Sequence, residues 1–498
     1  MKESMQRRVE AIEQLAKQKG LDFFPVVFEE VPREIIWDIA SYGLPTRMSH
    51  WSFGRSFIHQ KTYGEMGYGK IYELILNNNP SYAFLDDTNP DVINLLVAAH
   101  VLGHSDFFKK NACFAKTNRN MVNQAERNAK VIEEYKDKYG IDQVENWMDI
   151  AFALDRHIDW NLGEERHPYP EAEIRKREIH PLPFADLFGE SGKPHVIEEL
   201  INTEFPPRPE RDLLWFLITY SRMLPWQKEV FSIIRSESFY FHPQALTKIS
   251  NEGWASFWHA ELMLEFQDIT PDEHLDFSRG HAGVVSAGPK GSFNPYYVGF
   301  RIFTDIRKRW DKYYEEGQKD EAFKKSDEVD HRDEKGEIVM SKMTGLQKLF
   351  RVREEDDDVS FIYNYLTKEL CKDMELFTYG LAGSSSDPDE DDIILKKRTV
   401  DDVKAVLTAR LHNYGAPKIE ITKMQDGILY LTHDKAEKMP LDEHYTTETL
   451  RYIYEVWKKT VILNTYDRFG KDLVYKRDEG GVSKENSGEY GKEIDLRL

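Results

Sequence analysis

The sequence predicts an α+β chain, a large and mainly helical N-terminal domain followed by a small C-terminal α+β module containing an antiparallel sheet. Three observations carry this reading. Apolar residues recur at helical spacing through most of the first 310 positions. A polar stretch, GQKDEAFKKSDEVDHRDEKGE at 317–337, then interrupts them. Beyond it the pattern runs helix, hairpin, helix, hairpin. The expected organisation is therefore a domain over 1–316, a polar linker over 317–345, a module over 346–477 and a polar tail over 478–498.

Taken in order, MKESMQRRVEAIEQLAKQKG reads as a polar amphipathic helix. Residues 35–70 mix glycine with aromatics and give no assignment. A marked helix follows, with Asn89 as cap, Pro90 in the first helical position and Val92, Leu95, Leu96, Ala99 and Leu102 as its stripe. Further helices are expected over 116–139, 143–158, 209–241 and 251–266. The proline-rich pieces at 167–183 and 205–209 read as ordered connections, and the glycine-punctuated 278–300 as a loop. In the module, a helix over 400–411 precedes strands at 418–423 and 428–432 around Gln425-Asp426-Gly427. A helix at 447–459 precedes strands at 461–465 and 473–475 around Gly470. The acidic runs 354–358 and 387–392 read as solvated loops.

Composition narrows the function. With 67 basic and 87 acidic residues the net charge is −20, which repels phosphate backbones and anionic lipid and argues against nucleic acid as a partner. The 28 Phe, 25 Tyr and 10 Trp exclude disorder throughout. Cys113 and Cys371 stand far apart, so neither a disulfide framework nor a thiolate zinc site is expected, and unpaired thiols suit a reducing cytoplasm. The N-terminus has no apolar core of a signal peptide, and the longest apolar stretch, 93–103, is about half a membrane span. The expected place is the cytoplasm, with no membrane span.

Twelve of the sixteen histidines precede residue 282, so imidazole chemistry belongs to the large domain. In AAHVLGHSDFF, His100 and His104 are spaced i, i+4, which puts both rings on one helix face where they can share an ion or lie as core histidines. In ISNEGWASFWHAELMLE, Glu252, Ser256 and His259 share a face. A carboxylate there needs a partner, because an unpaired buried charge is costly. A divalent metal, zinc in the first instance, bound by His100, His104, Glu252 and His259 would satisfy all of them. The alternative is a charge-assisted cluster of Glu252 with a histidine or Lys248.

The two segments together look like a zinc-peptidase pattern, in which two histidines of H-E-x-x-H join the glutamate of a downstream N-E-G-x-A helix. That likeness makes the large domain zincin-like in expectation. Asn251-Glu252-Gly253-Trp254-Ala255 fits the second half, whereas Val101 replaces the glutamate that polarises water. The base must then come from Glu261, Asp106, Glu237 or His259, of which Glu261 and His259 are the catalytic candidates, or the chemistry is not peptide hydrolysis. Two histidines and a carboxylate also form a facial triad for non-haem iron. Weaker groupings are His50 and His59 with Arg47, read as packing; His157, Asp159 and His167, read as surface; and AGPKGSFNP at 287–295 with Lys290, read as a loop.

At these residues the chain resembles the SpoVR family (stage V sporulation protein R), in the form found in spore-forming bacilli. The runs are YGLPTRMSHWSFG (42–54), KIYELILNNNPSYAFLDDTN (70–89), AHVLGHSDFFKKN (99–111) and TKISNEGWASFWH (247–259), and 400–465 resembles the family's C-terminal part. The resemblance implies a role in forming the spore cortex, a peptidoglycan layer, although relatives occur in bacteria that make no spores. Relatives encoded beside a serine protein kinase and a von Willebrand-type protein imply protein partners and stress signalling. No settled activity comes with the family, so the metal site rests on spacing alone. Two functions are expected from this: a metal-dependent zincin-like hydrolase, or a non-catalytic regulator or scaffold.

Overall fold

The structure is a computed structural model that describes residues 1–65, 73–169, 173–179, 195–201, 205–287, 293–377, 399–409, 411, 415–437 and 439–486. Two compact units form, one from residues 1–141 with 240–415 and the other from 142–239 with 416–498. This division differs from the sequence-based scheme. The 317–345 segment, expected as a linker, is folded: a helix at Glu321–Lys325 buries Phe323, and a hairpin pairs Asp330–Arg332 with Ile338–Ser341.

The first unit opens with the expected helix, Glu3–Gln18, and the unassigned 35–70 stretch holds two more, Arg33–Tyr42 and Trp51–Glu65; a three-stranded sheet stands beside them. Strands β1 (Val26–Val31), β2 (Glu73–Leu76) and β3 (Ser81–Asp86) lie in the order β1-β3-β2, with β1 parallel and β2 antiparallel to β3. Five of the six β3 residues are buried, so the strand lacks the alternation that marks a half-exposed one. Helix α1 (Asp91–Lys110) follows, buried without a break from Asn94 to Phe108. Pro90, not Asn89, is its cap residue; the Asn89 amide instead donates to Asn94 Oδ1 at 3.2 Å.

Against α1 lies α2 (Lys248–Glu265), which is buried from Ile249 to Ala260. It starts earlier than the expected 251 because Asp358 caps it from outside. Asp358 Oδ2 accepts from Ile249 N at 2.7 Å, and Oδ1 from Ser250 N at 2.7 Å and Ser250 Oγ at 2.8 Å. The acidic run 354–358 is thus no solvated loop, since Asp356 and Asp358 are buried; 387–392 lies outside the described residues. Helices α3 (Pro271–Val284), α4 (Pro295–Lys319) and α5 (Gly345–Glu355) complete the surroundings of α1 and α2.

Small residues set how closely these helices approach. A Cβ at Gly253 would fall 2.4 Å from the carbonyl carbon of Gly299, and one at Gly299 would fall 2.2 Å from Ile249 O. A Cβ at Gly103 would lie 2.8 Å from Ala255 Cα. Helices α2 and α4 therefore touch backbone to backbone, and α1 rests on α2 almost as tightly. Trp254, Trp258 and Phe303 fill the core beside the contact.

The second unit carries a five-stranded sheet of β4 (Ile419–Gln425), β5 (Ile428–His433), β6 (Val461–Tyr466), β7 (Asp472–Asp478) and β8 (Gly481–Asn486), in the order β8-β7-β6-β5-β4. Asp426 (φ 54°) and Gly427 (φ 79°) make the expected hairpin turn. The sheet is mixed rather than antiparallel, because β5 and β6 run parallel and are joined through helix α6 (Glu443–Trp457). Strand β8 lies where a tail was expected, at residues too polar to signal a strand. The expected helix over 209–241 is two helices, Leu213–Tyr220 and Pro225–Leu246, broken before Pro225. The expected connection at 167–183 contains a strand, Glu173–Ile179, paired with His195–Ile201.

Candidate metal centre

The buried lengths of α1 and α2 bring His100, His104 and Glu252 together. One helical turn separates the two histidines, whose ring centroids lie 4.6 Å apart. From α2, Glu252 Oε2 faces His100 Nε2 at 3.4 Å and His104 Nε2 at 3.3 Å. This buried oxygen meets neither nitrogen in hydrogen-bond geometry. The three ligand atoms lie within 4.8 Å of one another, and among the described residues no other group of three such side chains converges this way.

The two spacings to Glu252 Oε2 are ones that ligands of a shared ion could have. Tetrahedral bonds of about 2.0–2.2 Å to nitrogen and oxygen place ligand atoms about 3.3–3.6 Å apart. Octahedral neighbours would sit closer, at about 2.8–3.1 Å with the same bonds. The donor set of two imidazoles and one carboxylate suits zinc or ferrous iron.

The far side of each ring is also engaged. His104 Nδ1 donates to Asn251 Oδ1 at 2.9 Å, and because an amide oxygen only accepts, the ring's proton is on Nδ1 and its Nε2 lone pair faces Glu252. His100 Nδ1 lies 2.8 Å from His259 Nδ1, and His259 Nε2 lies 2.6 Å from His281 Nδ1. Tyr296 stacks on the His100 ring with centroids 5.9 Å apart. Burial, with His100 and His281 next to it, pushes the His259 pKa well below the ordinary 6.5 and keeps the ring neutral.

Glu252 stays ionised. Burial alone would raise its carboxyl, but Lys248 and the facing histidines outweigh that and hold it well below the ordinary range. Lys248 Nζ donates to the other oxygen, Oε1, so one oxygen is left for an ion. The Lys248 side chain is 55% exposed, so its ammonium lies at the solvent edge of the cluster. The expected alternative partner of Glu252 is thus present beside the histidines rather than in their place.

The other sequence candidates fall elsewhere. His259, expected as a fourth ligand, stands behind His100 on its Nδ1 side and is not one of the three converging groups. Glu261 is exposed, since two residues past His259 the helix turns that face outward. Asp106 is a buried structural anchor: it accepts from Asp22 N at 2.8 Å and Trp254 Nε1 at 2.9 Å, with Arg353 at 3.4 Å. Glu237 belongs to the second unit. Val101 is fully buried among apolar neighbours. Neither Glu261 nor Asp106 therefore joins the cluster.

His281 was missed because 278–300 reads as a loop, whereas Thr270 and Glu273 form a capping box that begins α3 and carries it through His281. That box was the available signal. His50 packs against Trp51 and Phe53 and holds Ser52 Oγ at 2.7 Å, as packing requires, and His59 is exposed. Arg47 covers the Phe53 ring. His167 is exposed as expected and Asp159 is half-buried, but His157 is buried, not a surface residue. Lys290 lies outside the described residues. Cys113 and Cys371 are free thiols. No described helix is long and apolar enough to cross a membrane.

Comparison with known proteins gives two family matches: SpoVR like protein over residues 1–416, and SpoVR-like C-terminal domain over residues 417–468. Their junction falls within one residue of the 415/416 division between the two units. The chain is 28% identical over 495 residues to the uncharacterized protein YcgB of Escherichia coli (strain K12), covering 94% of this chain and 92% of that protein. No solved structure matches.

Proposed function

This chain belongs to the SpoVR family, and on that premise we propose that it serves spore cortex (peptidoglycan) formation as a cytoplasmic, metal-dependent enzyme with a zincin-like centre. The observation that carries the reading is the buried Glu252 Oε2, facing His100 and His104 Nε2 at tetrahedral spacing with no hydrogen bond of its own. His100, His104 and Glu252 would hold a divalent ion, zinc in the first instance. Such an ion supplies Lewis-acid polarisation of a water or carbonyl.

The protein's own groups define what that ion can do. Three protein ligands leave a position for water or substrate. Asn251 orients His104, and Lys248 restricts Glu252 to one oxygen. Tyr296 walls the His100 side. With valine at 101, no carboxylate stands where H-E-x-x-H peptidases keep their base, so the reading favours hydrolysis that needs polarisation more than proton abstraction. Cortex precursors or a regulatory protein are the substrates within reach of a cytoplasmic enzyme.

A second reading draws on the same valine and on the exposed Glu261. In it the chain is a non-catalytic regulator or scaffold, with partners such as a serine protein kinase and a von Willebrand-type protein. Elemental analysis of untagged protein, with His100→Ala and Glu252→Gln, separates the two. The enzyme reading expects about one ion per chain, its loss in both variants, and failure of both to restore the cortex. Substoichiometric metal in wild type, with variants that still restore the cortex, would overturn it. Metal lost with the cortex restored would favour the scaffold.

A further inference from the structure

Three imidazoles stand in a hydrogen-bonded row that no ligand count requires. His100 Nδ1 is 2.8 Å from His259 Nδ1, and His259 Nε2 is 2.6 Å from His281 Nδ1. The row links three helices, α1, α2 and α3, and passes from two fully buried rings to a half-buried one. We propose that His259, held in turn by His281, is a positioning residue for the metal centre that fixes His100 in the tautomer whose Nε2 lone pair faces the ion. This rests on the metal reading above and adds to it a defined role for two histidines outside the ligand set.

The direction of the row follows from counting protons. In a pair of Nδ1 atoms at 2.8 Å, one donates and the other accepts. If His100 is to offer Nε2 to a cation, its single proton is on Nδ1 and His259 Nδ1 accepts it. The proton of neutral His259 is then on Nε2 and is donated to His281 Nδ1, which leaves the His281 proton on its own Nε2. Running the row backwards would put a proton on His100 Nε2, aimed at Glu252 Oε2. That contact is 3.4 Å and outside hydrogen-bond geometry. His104 is set the same way by Asn251, so each ligand histidine has its own acceptor behind it.

The role predicts which substitutions matter. Glutamine at 259 offers one acceptor and one donor, as neutral imidazole does, whereas phenylalanine offers neither. Zinc affinity of the full-length protein, measured by competition with a chelating dye, should fall about 10–100-fold in His259→Phe and stay within about threefold in His259→Gln. The visible spectrum of the cobalt(II)-loaded protein should shift in His259→Phe although all three ligands are present. His281→Leu, at a half-buried position on another helix, should lower affinity by a smaller factor and reports on the row even if His259→Phe does not fold. Wild-type affinity and an unchanged cobalt spectrum in both His259→Phe and His281→Leu would overturn the role while leaving the metal centre standing. A wild-type chain that takes up neither zinc nor cobalt would overturn the metal centre and this role together.

Discussion

Asp358 Oδ1 accepts from Ser250 N at 2.7 Å, so a residue 108 positions away caps the helix that carries Glu252. Thr247, the local cap residue, makes no side-chain bond of its own to the helix. The remote carboxylate therefore satisfies the first buried N–H groups of α2 and fixes where Glu252 stands along it. Asp358→Ala should lower stability by about 2–3 kcal/mol, because it leaves two buried donors unpaired. Asp358→Asn should cost less, since its amide oxygen still accepts. Urea denaturation midpoints read the effect, and metal content should fall with them. An unchanged midpoint in the alanine variant would mean that α2 is capped in another way.

The glycine contact between α2 and α4 makes a sharper demand. A methyl group at Gly253 or Gly299 would overlap backbone atoms at 2.4 and 2.2 Å, and backbone cannot rotate aside as a side chain can. Either alanine substitution should force the helices apart at a cost of about 3 kcal/mol or more. Glu252 is next to Gly253, so the displacement also spoils the three-ligand spacing. Soluble yield and zinc affinity should both drop, whereas Gly283→Ala, at an open position on α3, should leave both unchanged. Normal zinc affinity in Gly253→Ala would show that the spacing does not depend on this contact.

Parts of this arrangement are legible in the sequence and parts are not. The i, i+4 histidines and the N-E-G-x-A helix can be read because helical periodicity is local, and His100, His104 and Glu252 do converge. Periodicity does not carry depth along the ring. It puts His259 on the same face as Glu252, yet cannot tell that His259 meets His100 from behind. Cap chemistry misleads when the cap is remote: Asp358 lies in an acidic run whose composition signals solvent. Strand β3 is hidden by its burial and β8 by its polarity, since the pattern that reveals a strand is alternation. The Asp426-Gly427 turn could be read because left-handed backbone at both positions selects those residue types.

Lys248 sets the charge at the edge of the cluster. Its ammonium holds Glu252 Oε1 and would repel a cation bound at Oε2. Removing that charge should tighten zinc binding, not weaken it. The side chain is 55% exposed, so solvent screening limits the gain. Lys248→Gln should raise affinity severalfold, equivalent to about 1 kcal/mol. Isothermal titration with zinc at two salt concentrations tests this, and the gain should shrink at the higher one. Weaker binding in Lys248→Gln would mean that the lysine chiefly orients the carboxylate.

The second unit has its own pH signature through His157. Burial, with Arg211 beside it, lowers the pKa of this imidazole from 6.5 to about 4, while Glu437 works against the shift and Arg156 with it. Above pH 6.5 the ring is neutral in folded and unfolded chains alike, and its stability contribution is complete. As the pH falls below 6.5 the unfolded chain takes up a proton that the folded chain refuses, so stability drops until the pH reaches the folded value near 4. The loss over that window is about 3 kcal/mol. His157→Gln removes the group and should flatten this part of the acid dependence relative to wild type. Denaturation midpoints of both proteins at pH 7, 5.5 and 4 give the comparison, and parallel declines would mean that His157 is protonated as readily in the folded chain as in the unfolded one.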